Sequence, residues 1–242
     1  MYRTILTLLL ISCISANAQS TKKNTVLIDV AHGQKFWRDP ADMAGMDAGY
    51  IDRVKYMTNE IRKSASSSNG DIGYVKGEIK SEDLAKADLL FIHIPSAKYK
   101  PEEVAAISKF VAGGGSLFIV MDSDYWSTLD QVNANDIIRP YNIEFGGESA
   151  DTTVGGTSKT GSVLTTAWKI PYHGARTVKG GAPFAFSANG KDVFGVSATP
   201  KGGGKVIVMG DGMVSLYMTE WENVTDYQCS GFMGEAFAWL LK

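Results

Sequence analysis

"DLLFIHIPSAKYKPEEVAAISKFVAGGGSLFIVMD" occupies residues 88–122, and its reading decides the fold class. The run Leu89–Ile94 is apolar except for His93 and is bounded by Asp88 and Pro95, the pattern of a strand covered on both faces. Pro101, Glu102 and Glu103 then open a helix: the proline lacks only a donor that would have no partner there, and the acids face the positive end. Val104, Ile107 and Val111 share one helical face, Gly113–Gly115 stops the helix, and "SLFIVMD" (116–122) is a second buried strand. Strand, helix and strand in this order predict a parallel pair joined by a crossover.

The same rhythm continues outward. "TVLIDVA" (25–31) predicts a strand, and Tyr50, Val54, Met57 and Ile61 predict a helix from about Asp47 to Lys63. "SSSNGD" (66–71) reads as a loop and "IGYVKG" (72–77) as a short strand. Ser81 is expected to cap a short helix, with Glu82 and Asp83 in its first turn. "KVIVMGD" (205–211) resumes the buried-strand pattern, and "GFMGEAFAWLL" (231–241) is a closing helix with Phe232, Ala236, Phe237 and Leu240 on one face. From about 142 to 200 Gly, Thr and Ser are frequent. The short alternating pieces there ("VLTTAWKI", "APFAFSA", "DVFGVSA") suit antiparallel strands or long loops. The expectation is one α/β domain over 24–242, a mainly parallel sheet with helices on both faces and a β-rich insertion around 142–200.

The chain has 242 residues, 44% hydrophobic and 21% charged, enough to bury a core without staples. The net charge of -2 comes from interspersed acids and bases, which argues against a nucleic-acid surface, since that needs clustered cations. "MYRTILTLLLISCISANAQS" has one Arg, an apolar run Ile5–Ile14 and Ala16-Asn17-Ala18, the layout of a signal peptide over 1–18. The apolar run is shorter than the ~20 residues of a membrane span. Leu10-Ile11-Ser12-Cys13 carries a competing reading as a lipoprotein box, with Cys13 lipidated. Both readings export the protein, to the periplasm or beyond. Cys229 is then the one remaining cysteine, so no intrachain disulfide forms, and its place at the start of the last helix suits a buried small residue.

In open α/β sheets ligands bind beyond the carboxyl ends of the strands. His32 and Gln34 follow the first strand, and His93, with Ser96 beyond it, ends the next core strand. Asp122, Asp124, Tyr125 and Trp126 follow the third, and Asp211 ends the last. The third histidine, His173, lies in "KIPYHGARTVKGG" with Tyr172 and Arg176. Imidazoles exchange protons near neutrality, so a pair at one substrate can act as base and acid; each also has a plain role as a hydrogen-bonded structural group. Asp29 sits in an apolar run, where a carboxylate needs a partner; it is expected to orient His32 or a backbone amide, with plain satisfaction of a buried donor as the alternative. Asp211 precedes Gly212, so turn chemistry is an alternative. Trp37, Tyr125 and Trp126 are candidates to stack on sugar faces, with core packing as the alternative. No Gly-x-Ser-x-Gly elbow or strand-end Cys nucleophile occurs, and no Gly-x-Gly-x-x-Gly or phosphate loop follows the first strand. Neither acyl transfer by the usual arrangement nor a nucleotide cofactor is expected, and no spacing demands a metal.

"VLIDVAHGQKFW", "ADLLFIHIP…KPEEVAAISKFVAGGGSLFIVMD" and "GKVIVMGDGMVS" together resemble the glutamine-amidotransferase-like domains typified by the ThuA group and DUF4350, over about 24–126 and 203–241. The resemblance implies a flavodoxin-like class I amidotransferase-type fold. True amidotransferases place a Cys at the elbow; His93 and Ser96 stand in the matching region here, so glutaminase chemistry is not carried over. Exported members look like components of polysaccharide utilisation in Bacteroidetes. One linked activity is an oligosaccharide dehydratase of ulvan breakdown, removing water from a non-reducing-end uronate without a cofactor. On that implication His32 and His93 are base and acid, with Tyr172 or His173 as alternative acid. Arg176 or Arg38 forks onto the uronate carboxylate, and Gln34 bonds the sugar. A glycoside or ester hydrolase using carboxylates such as Asp122 and Asp211, and a non-catalytic sugar-binding module, are the alternatives.

Overall fold

β1 (Asn24–Asp29) enters the interior at Val26 and ends on a buried carboxylate, Asp29, in the computed structural model, which describes residues 22–151 and 153–242. The signal-peptide segment and Cys13 lie outside the described residues. In chain order there follow α1 (Ala48–Ser66), β2 (Gly70–Val75), α2 (Ser81–Leu84), β3 (Leu89–His93), α3 (Pro101–Ala112), β4 (Ser116–Val120) and α4 (Ala134–Ile138). Then come β5 (Ile143–Glu148), β6 (Gly156–Ser158), β7 (Lys169–Ile170), β8 (Arg176–Gly180), β9 (Ala182–Ser187), β10 (Val193–Ala198), β11 (Val206–Met209) and α5 (Cys229–Leu240).

Among the described residues nine strands form one sheet in the order β2-β1-β3-β4-β11-β10-β9-β6-β7, and β5 pairs separately with β8. From β2 to β11 every pairing is parallel; from β11 onward every pairing is antiparallel. The parallel half thus has the doubly wound order 2-1-3-4-5, with β11 as its fifth strand. The chain is α/β, as expected, and the β-rich insertion lengthens the sheet rather than standing apart from it.

Period-two alternation explains why the central strands are apolar throughout. Phe91, Phe118, Val120, Ile207 and Met209 face α1 and α5; Leu90, Ile92, Leu117, Ile119, Val206 and Val208 face α3 and α4. Asp47 caps α1 by accepting the Tyr50 N–H at 2.9 Å. At α2 the expectation is corrected: Lys80 is the N-cap, with no side-chain bond, and Ser81 is already helical, so its hydroxyl cannot cap. Of "VLTTAWKI" only Lys169–Ile170 is strand. No helix among the described residues is long and apolar enough to cross a membrane.

Candidate functional site

The crevice between β1 and β3, where the strand order reverses, is filled by protein. Asp29 accepts the Ala31 N–H at 3.0 Å, Gln34 Nε2 at 3.1 Å, the Tyr99 hydroxyl at 2.7 Å and His32 Nδ1 at 3.0 Å. His32 Nε2 meets Glu103 Oε1 at 3.0 Å, and the ring stacks on Tyr99 at 4.0 Å. Both ring nitrogens face carboxylates, so both donate and the ring is an imidazolium. Burial alone lowers its pKa, but the bonds and charges of Asp29 and Glu103 outweigh that and raise it. His32 therefore has no nitrogen left for a substrate, and its expected role as base is corrected. Gln34 is likewise occupied, its Oε1 accepting the His93 N–H at 3.2 Å.

His93 is buried between Phe91, Phe36 and Trp37, and its Nε2–H donates to the Gly212 carbonyl at 3.3 Å. Burial pushes it down to about 4, so it is neutral at pH 7, with Nδ1 unpaired. Gly212 has no room for a side chain: a methyl there would fall 2.5 Å from Ile94 Cδ1 and 3.0 Å from His93 Nε2. Ile94, just past β3, has φ +46, a strained conformation for a β-branched residue. Its side chain is a buried alkyl chain that offers no nucleophile.

Three further expectations are corrected. Trp37 is fully buried, edge-on to Phe91 at 5.5 Å, and has no face for a sugar. Tyr172 is buried, stacked on Phe194 at 4.5 Å with its hydroxyl on Asp192 at 3.4 Å; burial raises its pKa, so it holds its proton. Arg176 is buried, its guanidinium donating to Asp124, to Ser127 O at 3.2 Å and to Gly146 O at 3.4 Å. Its charge is spent on shaping the loop after β4. Arg38 is exposed and bonds the Tyr50 hydroxyl at 3.2 Å.

The remaining expected residues converge. β4 and β11 pair Val120 with Met209, so Asp122 and Asp211 leave adjoining strands at the same level. Asp122 accepts the Ser123 and Gly212 N–H groups at 2.7 and 2.8 Å. Asp211 accepts those of His173 and Met213, both at 2.9 Å. Burial first, then the neighbouring Asp122, pushes Asp211 up to about 8; burial also raises Asp122, against the pull of its amide donors and Arg176. The two carboxyls therefore retain a proton at neutral pH.

Asp122, His173, Tyr125 and Trp126 line a cleft of about 790 Å³ over these strand ends. Phe36 and Trp126 meet edge to face at 4.8 Å on one wall, and Trp221 meets His173 at 5.8 Å on the other. Met57, Met213, Leu216 and Met218 add apolar surface; Lys35 and Arg53 bring positive charge. The His173 ring bonds to nothing among the described residues. Reasoning from sequence missed Glu103 and Tyr99, partners of Asp29 and His32. It also missed Arg53 on α1, and Met213, Leu216, Met218 and Trp221, for which the apolar segment "GMVSLYMTEW" (212–221) after β11 was a readable signal. A second hollow, of about 580 Å³, lies at the amino ends of the strands, against Leu84, Phe110 and Lys242. Among the described residues no group of three His, Cys, Asp or Glu side chains is placed to hold a metal ion.

No protein-family model and no curated protein matches the chain. Among solved structures, it is similar to the mmIFT52 N-terminal domain at 16% identity, over 90% of this chain and 97% of that one, with a TM-score of 0.66. The exo-β-1,4-mannosidase Op5Man5 from Opitutaceae bacterium strain TAV5 is 14% identical, over 91% of this chain and 36% of its own length, at 0.55. The cytoplasmic protein STM1381 from Salmonella typhimurium LT2 is 14% identical, over 86% and 98%, at 0.53. The chain thus spans about a third of the mannosidase, and at these identities the likeness is one of fold alone.

Proposed function

We propose that the chain is an exported dehydratase that removes water from the non-reducing-end uronate of acidic oligosaccharides. The observation carrying this reading is an aromatic-walled cleft lined by Asp122 and His173, with the buried Asp211 on the adjoining strand end keeping a proton on the carboxyl pair. His173, in place of His32, takes the C5 proton; the C5–H electrons form the C4–C5 double bond as the C4–O bond breaks. The carboxyl pair gives its proton to the departing hydroxyl, which leaves as water. Lys35, exposed at the cleft, neutralises the uronate carboxylate as charge builds on it. Substrate and compartment are supported by the family resemblance of the sequence and by its signal-like leader.

Mass spectrometry of saturated acidic oligosaccharides incubated with the protein tests this. Loss of one water from an otherwise intact chain is the expected result. Asp122→Asn and His173→Ala are each expected to slow it by about 10²-fold or more. Cleavage products would instead make it a hydrolase or chain-cutting lyase. The carboxyl pair favours glycoside hydrolysis as second reading, although two acids on adjoining strand ends do not flank a scissile bond in the usual way. Binding without any mass change would leave a sugar-binding module.

A further inference from the structure

The cleft carries more apolar wall than a sugar ring alone can use. A pyranose carries hydroxyls around its rim, and each one desolvated without a partner is costly. Met57, Met213, Leu216 and Met218 offer none, and the first three are buried. The walls are aromatic: Trp221 is 37% exposed, and Tyr125, 82% exposed, stands edge-on to Trp126 at 4.7 Å. Polar groups gather on one side, where Asp122 and Ser123 follow β4 and His173 bonds Asp211. Arg53 donates to the Leu216 carbonyl, so its charge is partly committed, whereas Lys35 forms no ion pair among the described residues. A volume of about 790 Å³ is that of a site for a ligand well beyond one sugar ring.

We infer that the cleft takes a glycuronide with an aryl aglycone, the flat ring lying against Met218 between Trp126 and Trp221 and the uronate reaching Lys35. Thioether sulfur and ring edges attract one another, and a flat aromatic fills the slot without leaving a hydroxyl unpaired. This deepens the dehydratase reading and rests on it for the identity of the sugar, not for the aryl subsite.

Isothermal titration of the full chain with three probes tests the assignment: 4-methylumbelliferyl β-D-glucuronide, methyl β-D-glucuronide and 4-methylumbelliferyl β-D-glucoside. The aryl glucuronide is expected to bind at least tenfold more tightly than either of the others. Trp221→Ala and Met218→Ser, both at partly exposed positions, should each erase most of the aryl preference while leaving the fold intact by circular dichroism. Lys35→Gln should erase the preference for glucuronide over glucoside. Aryl and methyl glucuronides binding within twofold of each other, or no binding of any probe, would overturn the inference. Aryl-selective binding without dehydration would keep the subsite and remove the proposed reaction. Dehydration of oligosaccharides without aryl selectivity would do the reverse.

Discussion

His32 shows how far a residue's role depends on what the fold sets around it. Read along the chain, an imidazole at a strand end is a general base; in place, it is a cation clamped between Asp29 and Glu103. Its folded pKa lies above the ordinary 6.5, so its contribution to stability is complete below that value and is lost as pH rises through the raised one. His32→Gln is therefore expected to cost roughly 3 kcal/mol or more at pH 6, because it strands two buried carboxylates. The gap from wild type should narrow steadily above neutrality; urea titrations of both proteins at pH 6 and 9 measure it, and a gap independent of pH would contradict the imidazolium assignment. Asp211 also has a raised pKa, but in the reaction its proton is what matters. As pH passes its value of about 8 the pair loses the acid form, so kcat/KM is expected to fall on the alkaline side. A pH–rate profile flat from 7 to 9.5 would remove the pair from the acid role.

At the scale of elements, α3 illustrates what sequence made legible and what it hid. Its proline start, its acids and its glycine stop were all readable because each serves the helix locally. That Glu103 is also the partner of His32, 71 positions earlier in the chain, was not, because only tertiary packing brings the crevice and the helix start together. Glu103 Oε2 accepts the Lys100 N–H at 2.8 Å and Oε1 the Ile79 N–H at 2.7 Å, so one carboxylate ties three segments. Glu103→Ala is thus expected to exceed the loss of about 1 kcal/mol typical of a cap. Amide exchange should quicken at Ile79 as well as in the first turn of α3; acceleration confined to the helix would show that the residue is only a cap. The central strands were legible for the reason that they are covered on both faces, which leaves uninterrupted apolar runs. β5, β6 and β8 were not individually legible: glycines interrupt β5, open β6 and close β8, and their pairing with distant partners decides that they are strands at all.

At the scale of the molecule, the insertion completes the cleft. The parallel half supplies Phe36, Asp122 and Trp126, while the segment before β8 supplies His173, and Arg176 is the bolt between them. Its guanidinium reaches from the base of β8 to Asp124 and Ser127, the residues that bracket Tyr125 and Trp126. Its backbone N–H donates to Gly210 at 2.8 Å, beside Asp211. A buried arginine in a Gly- and Thr-rich stretch looked like a ligand cation in sequence, because chain order does not reveal that the loop after β4 would fold back to claim it. Arg176→Leu keeps most of the apolar bulk and removes the bonds, so it is expected to cost roughly 2–3 kcal/mol of stability. It also takes away a positive charge that lowers Asp122, and should raise that carboxyl further. In a protein still folded at 20 °C, ligand affinity should then drop and the alkaline limb of activity should move to higher pH. A variant that lost stability but kept both affinity and pH profile would show that the bolt holds the sheet together without positioning the site.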